Sequence, residues 1–329
     1  RDQALSLKRL IDNDFTPNFQ IPVKLKLVQP GVLLPSIVAG TAPDVVLESG
    51  RPEPVNFALR NALIDLSEFD DFQEITKRFE PSAIVPFELN GGYYAIPETL
   101  SFPMLFYRTD ILEELGLNSP QTWDDVNDMI PELQKNYMEF GIPFVSTSIP
   151  GAAAADPTSF YMLFFQRGGS LYDEGKMSIL LDNPLAYEAF RQWTDLHTNY
   201  LLPLDYNIMT RFRTGEIPIV IADYTTANAF AVSAPELRGL YEMVPVPGIK
   251  RSDGTIDRSV PAGGSASIMI RTTSNRESSW EFMKWWMSES TQAEFATNLQ
   301  TLFGPEYMWH TANLNAFKEL PWNDEHKDV

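Results

Sequence analysis

The chain has 329 residues, 44% of them hydrophobic and 12% aromatic, enough for two α/β cores of roughly 150 residues each and too apolar for a disordered chain. Acidic residues number 44 against 25 basic ones, and the resulting net charge of −19 repels phosphate backbones and anionic bilayers, which argues against nucleic-acid binding. There is no cysteine, hence no disulfide, thiolate nucleophile or cysteine metal site, and no run approaches the ~18 apolar residues of a bilayer span.

Strand and helix signals alternate along the chain, the pattern of an α/β fold. Arg1 to Ile11 reads as a helix with an apolar stripe through Leu5, Leu7, Leu10 and Ile11. It has no natural start before it, and the polar end at Asp328-Val329 looks equally cut, so a processed or excised fragment is expected. Val23 to Val28 alternates apolar and basic, as a half-buried strand does, and Ala42 to Leu47 reads as a short buried strand. A turn at Gly91-Gly92 leads into Tyr93 to Ile96. Thr122 with Asp125 predicts a capping box, and Trp123, Val126, Ile130 and Leu133 continue a helix that Pro131 should kink or restart. Asn183-Pro184 opens a second helix and Ser274 with Glu277 a third. Strands are expected at Ile217 to Ile221 and Ser267 to Ile270. Pro218 requires the first of these to lie at an edge or to begin at Ile219.

Motifs of catalysis are missing. His197, His310 and His326 lie far apart without ligand spacing, Gly175-Lys176 lacks the rest of a phosphate-binding loop, and no GxSxG elbow occurs. Asp253-Gly254 with Asp257 suits a hairpin better than a calcium loop. No catalytic residue, metal or cofactor is expected.

Several segments, in order, carry a resemblance. Gly40-Thr41-Ala42-Pro43-Asp44-Val45-Val46, Tyr94-Ala95-Ile96-Pro97, Phe106-Tyr107-Arg108-Thr109-Asp110 and Pro120 with Thr122-Trp123-Asp124-Asp125 form the first part. Phe212 to Asp223, then Gly263-Gly264-Ser265 with Ser279-Trp280-Glu281-Phe282, complete it. Together these resemble the extracellular solute-binding proteins of ABC importers, family 1, the maltose-binding-like group. Each piece is weak alone; their collinear order over nearly the whole chain gives the likeness its weight. The family's first strand is absent here, since the chain starts in what should be the following helix.

The resemblance implies a two-lobed α/β periplasmic-binding-protein type II fold, with lobe 1 formed by residues 1–99 and 260–302 and lobe 2 by 100–259 and 303–329. Ligand would lie in a cleft between the lobes and be captured by hinge closure. It also implies an extracellular monomer, anchored as a lipoprotein through a segment not present here, that delivers a carbohydrate to membrane permease subunits while separate chains hydrolyse ATP. Candidate ligand-binding residues are Glu48, Arg51, Glu98, Asp223, Tyr224, Gly263, Gly264 and Ser265, with Asp156, Thr158, Phe160, Tyr307 and Trp309 as lesser ones. Carboxylates accept sugar hydroxyls, arginine donates to them, and an aromatic face covers the apolar side of a ring. Against this, Glu48 or Arg51 reads equally well as a solvated loop charge and Tyr224 as core. Trp123, Trp193, Trp280, Trp285 and Trp286 lie on helical stripes and are assigned to packing, and Arg108 with Asp110 to a structural ion pair. Other readings stay open: a glycosidase pairing Glu48 with Glu98 or Asp223 ~5–10 Å apart, a polyamine, metal-chelate or other small-ion binder, and a sensor or adhesion module.

Overall fold

The computed structural model describes residues 2–29, 31–146, 154–172, 178–304 and 307–320; Gly175-Lys176, His326 and Asp328-Val329 lie outside them. The chain divides into two compact units, Arg1–Ser101 with Ala262–Lys327, and Phe102–Pro261. The expected assignment of 303–329 to the second lobe is corrected for its described part. The Leu314–Glu319 helix packs on the Glu289–Phe303 helix of the first unit. Asn313 ties it there: its Oδ1 caps the Asn315 and Ala316 N–H groups, and its Nδ2 donates to the Met287 carbonyl at 2.9 Å.

In the first unit, strand Ser265–Met269 lies between Val45–Gly50 and Ile96–Pro97, antiparallel to both. This central strand is covered on both faces, since Ala266, Ser267, Ile268 and Met269 are all sealed from solvent. Phe57, Leu63, Phe87, Ile268 and Ile270 pack together beside it, each such side chain worth about 1.5–3 kcal/mol of burial. Val23 to Val28 forms no strand, which overturns the expectation for VKLKLV. Alternation gives a segment two faces but no neighbour to pair with, and Leu27 and Val28 are left exposed. The Ser274 cap is also corrected. Asn275 precedes the Arg276–Trp286 helix, and its N–H donates to Thr273 Oγ1 at 3.0 Å, so the turn forms one residue earlier.

The second unit holds a four-stranded sheet in the order Tyr241–Val244, Pro103–Arg108, Ile219–Asp223, Phe140–Gly141, the last pair parallel. Ile219–Asp223 is thus an inner strand, and it starts one residue after Pro218, whose carbonyl accepts the Arg108 N–H at 2.8 Å. The predicted capping box is present: Thr122 Oγ1 accepts from Asp125 N, and the Asp125 carboxyl from Thr122 N. The helix it opens, Trp123–Lys135, runs through Pro131 unbroken. Pro131 is on the exposed side, where water can take the carbonyl that loses its partner. Trp123 donates its indole N–H to Gln166 at 2.7 Å, and Gln166 donates to the Pro247 carbonyl, so the buried polar atoms there are satisfied. Arg108 pairs with Asp110 at 2.5 Å and also donates to the Arg213 carbonyl, a structural role. Asp253 and Gly254 turn the Ile249–Lys250 and Ile256–Asp257 hairpin, and Asp257 pairs with Arg251. No described helix is long and apolar enough to cross a membrane.

Candidate functional site

A recess of about 300 Å³ opens in the first unit where three pieces of chain meet. Glu48 comes from the end of the Val45–Gly50 strand, Thr99 to Ser101 from the segment after Ile96–Pro97, and Gly264 and Ser265 from the start of the central strand. Met308, Trp309 and His310 close one side, with Gln3 at the rim. The broader furrow near Glu289 and Glu319, about 750 Å³, lies along a helix surface and lacks such convergence.

Local geometry explains how the chain reaches this arrangement. The pairing register of Val45–Gly50 with the central strand shifts between Val46 and Ser49, and Glu48 takes a left-handed backbone with φ 54°. Left-handed backbone is unfavourable for a residue with a side chain, so something must hold it there. Gly264 has φ +139°, and a Cβ on it would sit 2.1 Å from the Thr99 carbonyl oxygen; only glycine fits. Thr99 Oγ1 accepts the Ser265 N–H at 2.9 Å and lies 2.8 Å from Ser265 Oγ. Gly263 N–H donates to the Ser101 carbonyl at 2.7 Å. The N–H groups of both candidates, Gly263 and Ser265, are thus engaged inside the protein and are not turned to a ligand. What these residues offer the recess is hydroxyl oxygen and close backbone approach.

Glu98 lies beneath, 0% exposed. One carboxyl oxygen accepts the Glu48 N–H and the other the Trp286 indole N–H. Burial pushes its carboxyl up to about 8, a rise that the two donors oppose and the nearby Glu48 charge reinforces. Glu48 stays solvent-accessible, yet its protein-lined surroundings raise its carboxyl above the usual range. Arg51 stands outside the recess lining; burial lowers it, and its Nη1 is sealed with no hydrogen-bond partner. Tyr307 also lies off the lining, donating to Asp2 Oδ2 at 3.3 Å, whereas Trp309 lines it while its indole N–H donates to Gln292 at 2.6 Å.

The remaining candidates belong to the second unit. Asp223 ends the Ile219–Asp223 strand, and its Oδ1 accepts the Thr225 N–H at 3.0 Å, an Asx turn. Tyr224 is only 2% exposed, which overturns its reading as an aromatic platform; burial raises its hydroxyl strongly. Phe102, half-buried and 4.7 Å from the Tyr224 ring centroid, is the aromatic left partly open there. Asp156 Oδ1 accepts the Thr158 N–H at 2.9 Å and starts the Thr158–Gln166 helix, on which Phe160 packs parallel to Phe164. That makes Asp156 and Thr158 a helix start, and Phe160 partly core.

Of the sequence candidates, the structure brings Glu48, Gly264, Ser265 and Trp309 together, with Glu98 below them. Thr99 and Ser101 were not predicted; the hydroxyl-spacer-hydroxyl run directly after Glu98 is the signal that marks them. Trp286, assigned to packing alone, also orients Glu98. Among the described residues no three His, Asp or Glu side chains gather as a metal site.

Residues 30–305 match the family described as bacterial extracellular solute-binding protein. The maltotriose-binding protein of Pyrococcus abyssi is 24% identical over 284 residues, 82% of this chain and 56% of that protein. The chain thus spans little more than half of that relative's length. Among solved structures, the sugar-binding protein MalE from Xanthomonas citri superposes with a TM-score of 0.75 at 18% identity, covering 96% of this chain and 82% of that one. Maltose-bound MalE from Listeria monocytogenes superposes with a TM-score of 0.72 at 17% identity, covering 100% and 82%. These structural likenesses establish a shared α/β fold.

Proposed function

We propose that this chain, which belongs to the bacterial extracellular solute-binding protein family, captures a saccharide and delivers it to the permease subunits of an ATP-driven importer. The observation that carries this reading is the first unit's recess, where the Glu48 carboxyl, the Thr99, Ser101 and Ser265 side chains and the apolar Met308 and Trp309 converge. Saccharides ask for that mixture: oxygen acceptors and donors for hydroxyls beside apolar surface for the ring. Its volume of about 300 Å³ is at the lower end for ligand pockets, so it serves as one subsite. The maltotriose-binding relative supports the same class of solute.

Capture proceeds by hinge closure of the two units, and the liganded form docks on the permease. The chain acts as a monomer outside the cell, held at the membrane by a lipid anchor. It performs no chemistry on the solute. A glycosidase needs two carboxyl groups that reach the glycosidic bond, and in the Glu48–Glu98 pair Glu98 is sealed.

Calorimetric titration and thermal unfolding with maltotriose, maltose and spermidine test the proposal. Maltotriose at 100 times its Kd should add about 2.7 kcal/mol of stability. Binding of spermidine in place of both saccharides overturns the saccharide reading. Small-angle scattering that is unchanged at saturating saccharide overturns hinge closure.

A further inference from the structure

Glu98 is a carboxyl group without access to solvent and without a Lys or Arg partner among the described residues. Burying an acid in that way is unfavourable, and an apolar side chain of similar volume would suit a purely structural position better. Its two oxygens are nevertheless matched with two N–H donors from remote parts of the chain, Glu48 being 50 residues away and Trp286 188. Glu48 lies in the stretch where the strand register shifts, and there its backbone turns left-handed. Inside that irregularity the Glu48 N–H donates to the Glu98 carboxyl, and the Glu48 side chain lines the recess. Glu98 cannot touch a solute itself.

We propose that Glu98 is the positioning residue of the recess: it accepts the Glu48 N–H on one oxygen and the Trp286 indole N–H on the other, and so fixes the left-handed turn that sets Glu48 on the recess wall. The inference rests on the recess being the saccharide subsite. Trp286 acts one step further back, holding the Glu98 carboxyl in the orientation that meets Glu48. An acid deep in the unit thereby governs the placement of an acid at its surface, through one backbone hydrogen bond.

The test combines Glu98→Gln, Trp286→Phe and Glu48→Gly in the full chain, with maltotriose affinity from calorimetry and Glu48 amide exchange from NMR. Glu98→Gln should weaken maltotriose binding about tenfold, and Trp286→Phe roughly threefold, each with faster exchange of the Glu48 amide. Glycine adopts the left-handed turn unaided and carries no carboxyl. In the Glu48→Gly background, Glu98→Gln should therefore cost no further affinity while still changing the melting temperature. An equal loss of affinity in both backgrounds, or an unchanged Glu48 amide in Glu98→Gln, overturns the positioning role. Unaltered maltotriose affinity in Glu48→Gly alone overturns the subsite reading, and the proposal falls with it. Should Glu98→Gln not fold, Trp286→Phe, which keeps an aromatic ring in the core but removes the donating N–H, carries the same two comparisons.

Discussion

Glu48 in the first unit and Asp223 in the second both stand at the end of a strand, yet the two ends are built in opposite ways. Asp223 folds onto its own backbone in an Asx turn, and the neighbouring Tyr224 is closed into the core. Glu48 instead holds an unfavourable backbone angle, leans on a buried acid and faces a recess. Ordinary turn chemistry satisfies the second end locally. The first needs partners from distant parts of the chain, and strain of that kind collects where a surface must be presented in one conformation. A polar residue at a strand end is thus informative when its local hydrogen bonds are not enough to explain it.

The largest expected effect is at the remote partner. Trp286→Ala removes a fully buried indole and leaves a Glu98 oxygen unpaired, and should destabilise the protein by about 4 kcal/mol in denaturant unfolding. If it instead costs no more than an exposed substitution, the first strand end is no more demanding than the second.

Next comes pH. The Glu98 carboxyl is raised from 4.5 to about 8 in the folded protein, so its stabilising contribution is fully present below pH 4.5 and is lost as pH rises through 8. The slope is at most roughly 1.4 kcal/mol per pH unit, and Glu98→Gln should flatten it in melts between pH 5 and 9. In the second unit the sign reverses. Hydrogen bonds and charge from Arg108 hold the Asp110 carboxyl below its ordinary value, so its contribution is present above pH 3.8 and lost as pH falls. Asp110 is partly exposed and its effect correspondingly small.

Gly264→Ala should follow, at about 3 kcal/mol, because its Cβ meets the Thr99 carbonyl. Gly254→Ala, in the second unit's hairpin at φ +88° with open space around it, should cost about 1 kcal/mol, and the difference between the two melts isolates the clash. The smallest effect is Asp223→Ala, about 1 kcal/mol or less from the lost Asx turn. A larger loss of saccharide affinity there than in Glu48→Ala would invert the comparison.

Local rules read much of the fold from the residues. The Thr122–Asp125 box, the Asn183-Pro184 start and the Asp253-Gly254 hairpin are all decided within four residues, and each is present. Val23 to Val28 alternates without forming a strand, because a strand exists only beside another strand, which alternation cannot report. The site was legible in part. Glu48, Gly264 and Ser265 follow from the resemblance, but the sealing of Glu98 depends on an indole 188 residues away. Tyr224 failed as a platform for a related reason: its neighbour Phe102, on another strand's approach, decides what covers its ring.

The place of Ser265–Met269 in the middle of the first unit's sheet has a consequence for how the protein is made. Its neighbours Val45–Gly50 and Ile96–Pro97 leave the ribosome more than 150 residues earlier and find no central strand to join. The second unit, Phe102–Pro261, is one uninterrupted stretch and can complete its own sheet in that interval. The first unit therefore matures after the second, by long-range pairing that is intrinsically slow, and Glu98 waits for Trp286, 188 residues downstream. A released chain truncated before residue 265 should be protease-resistant in its second half and open in its first.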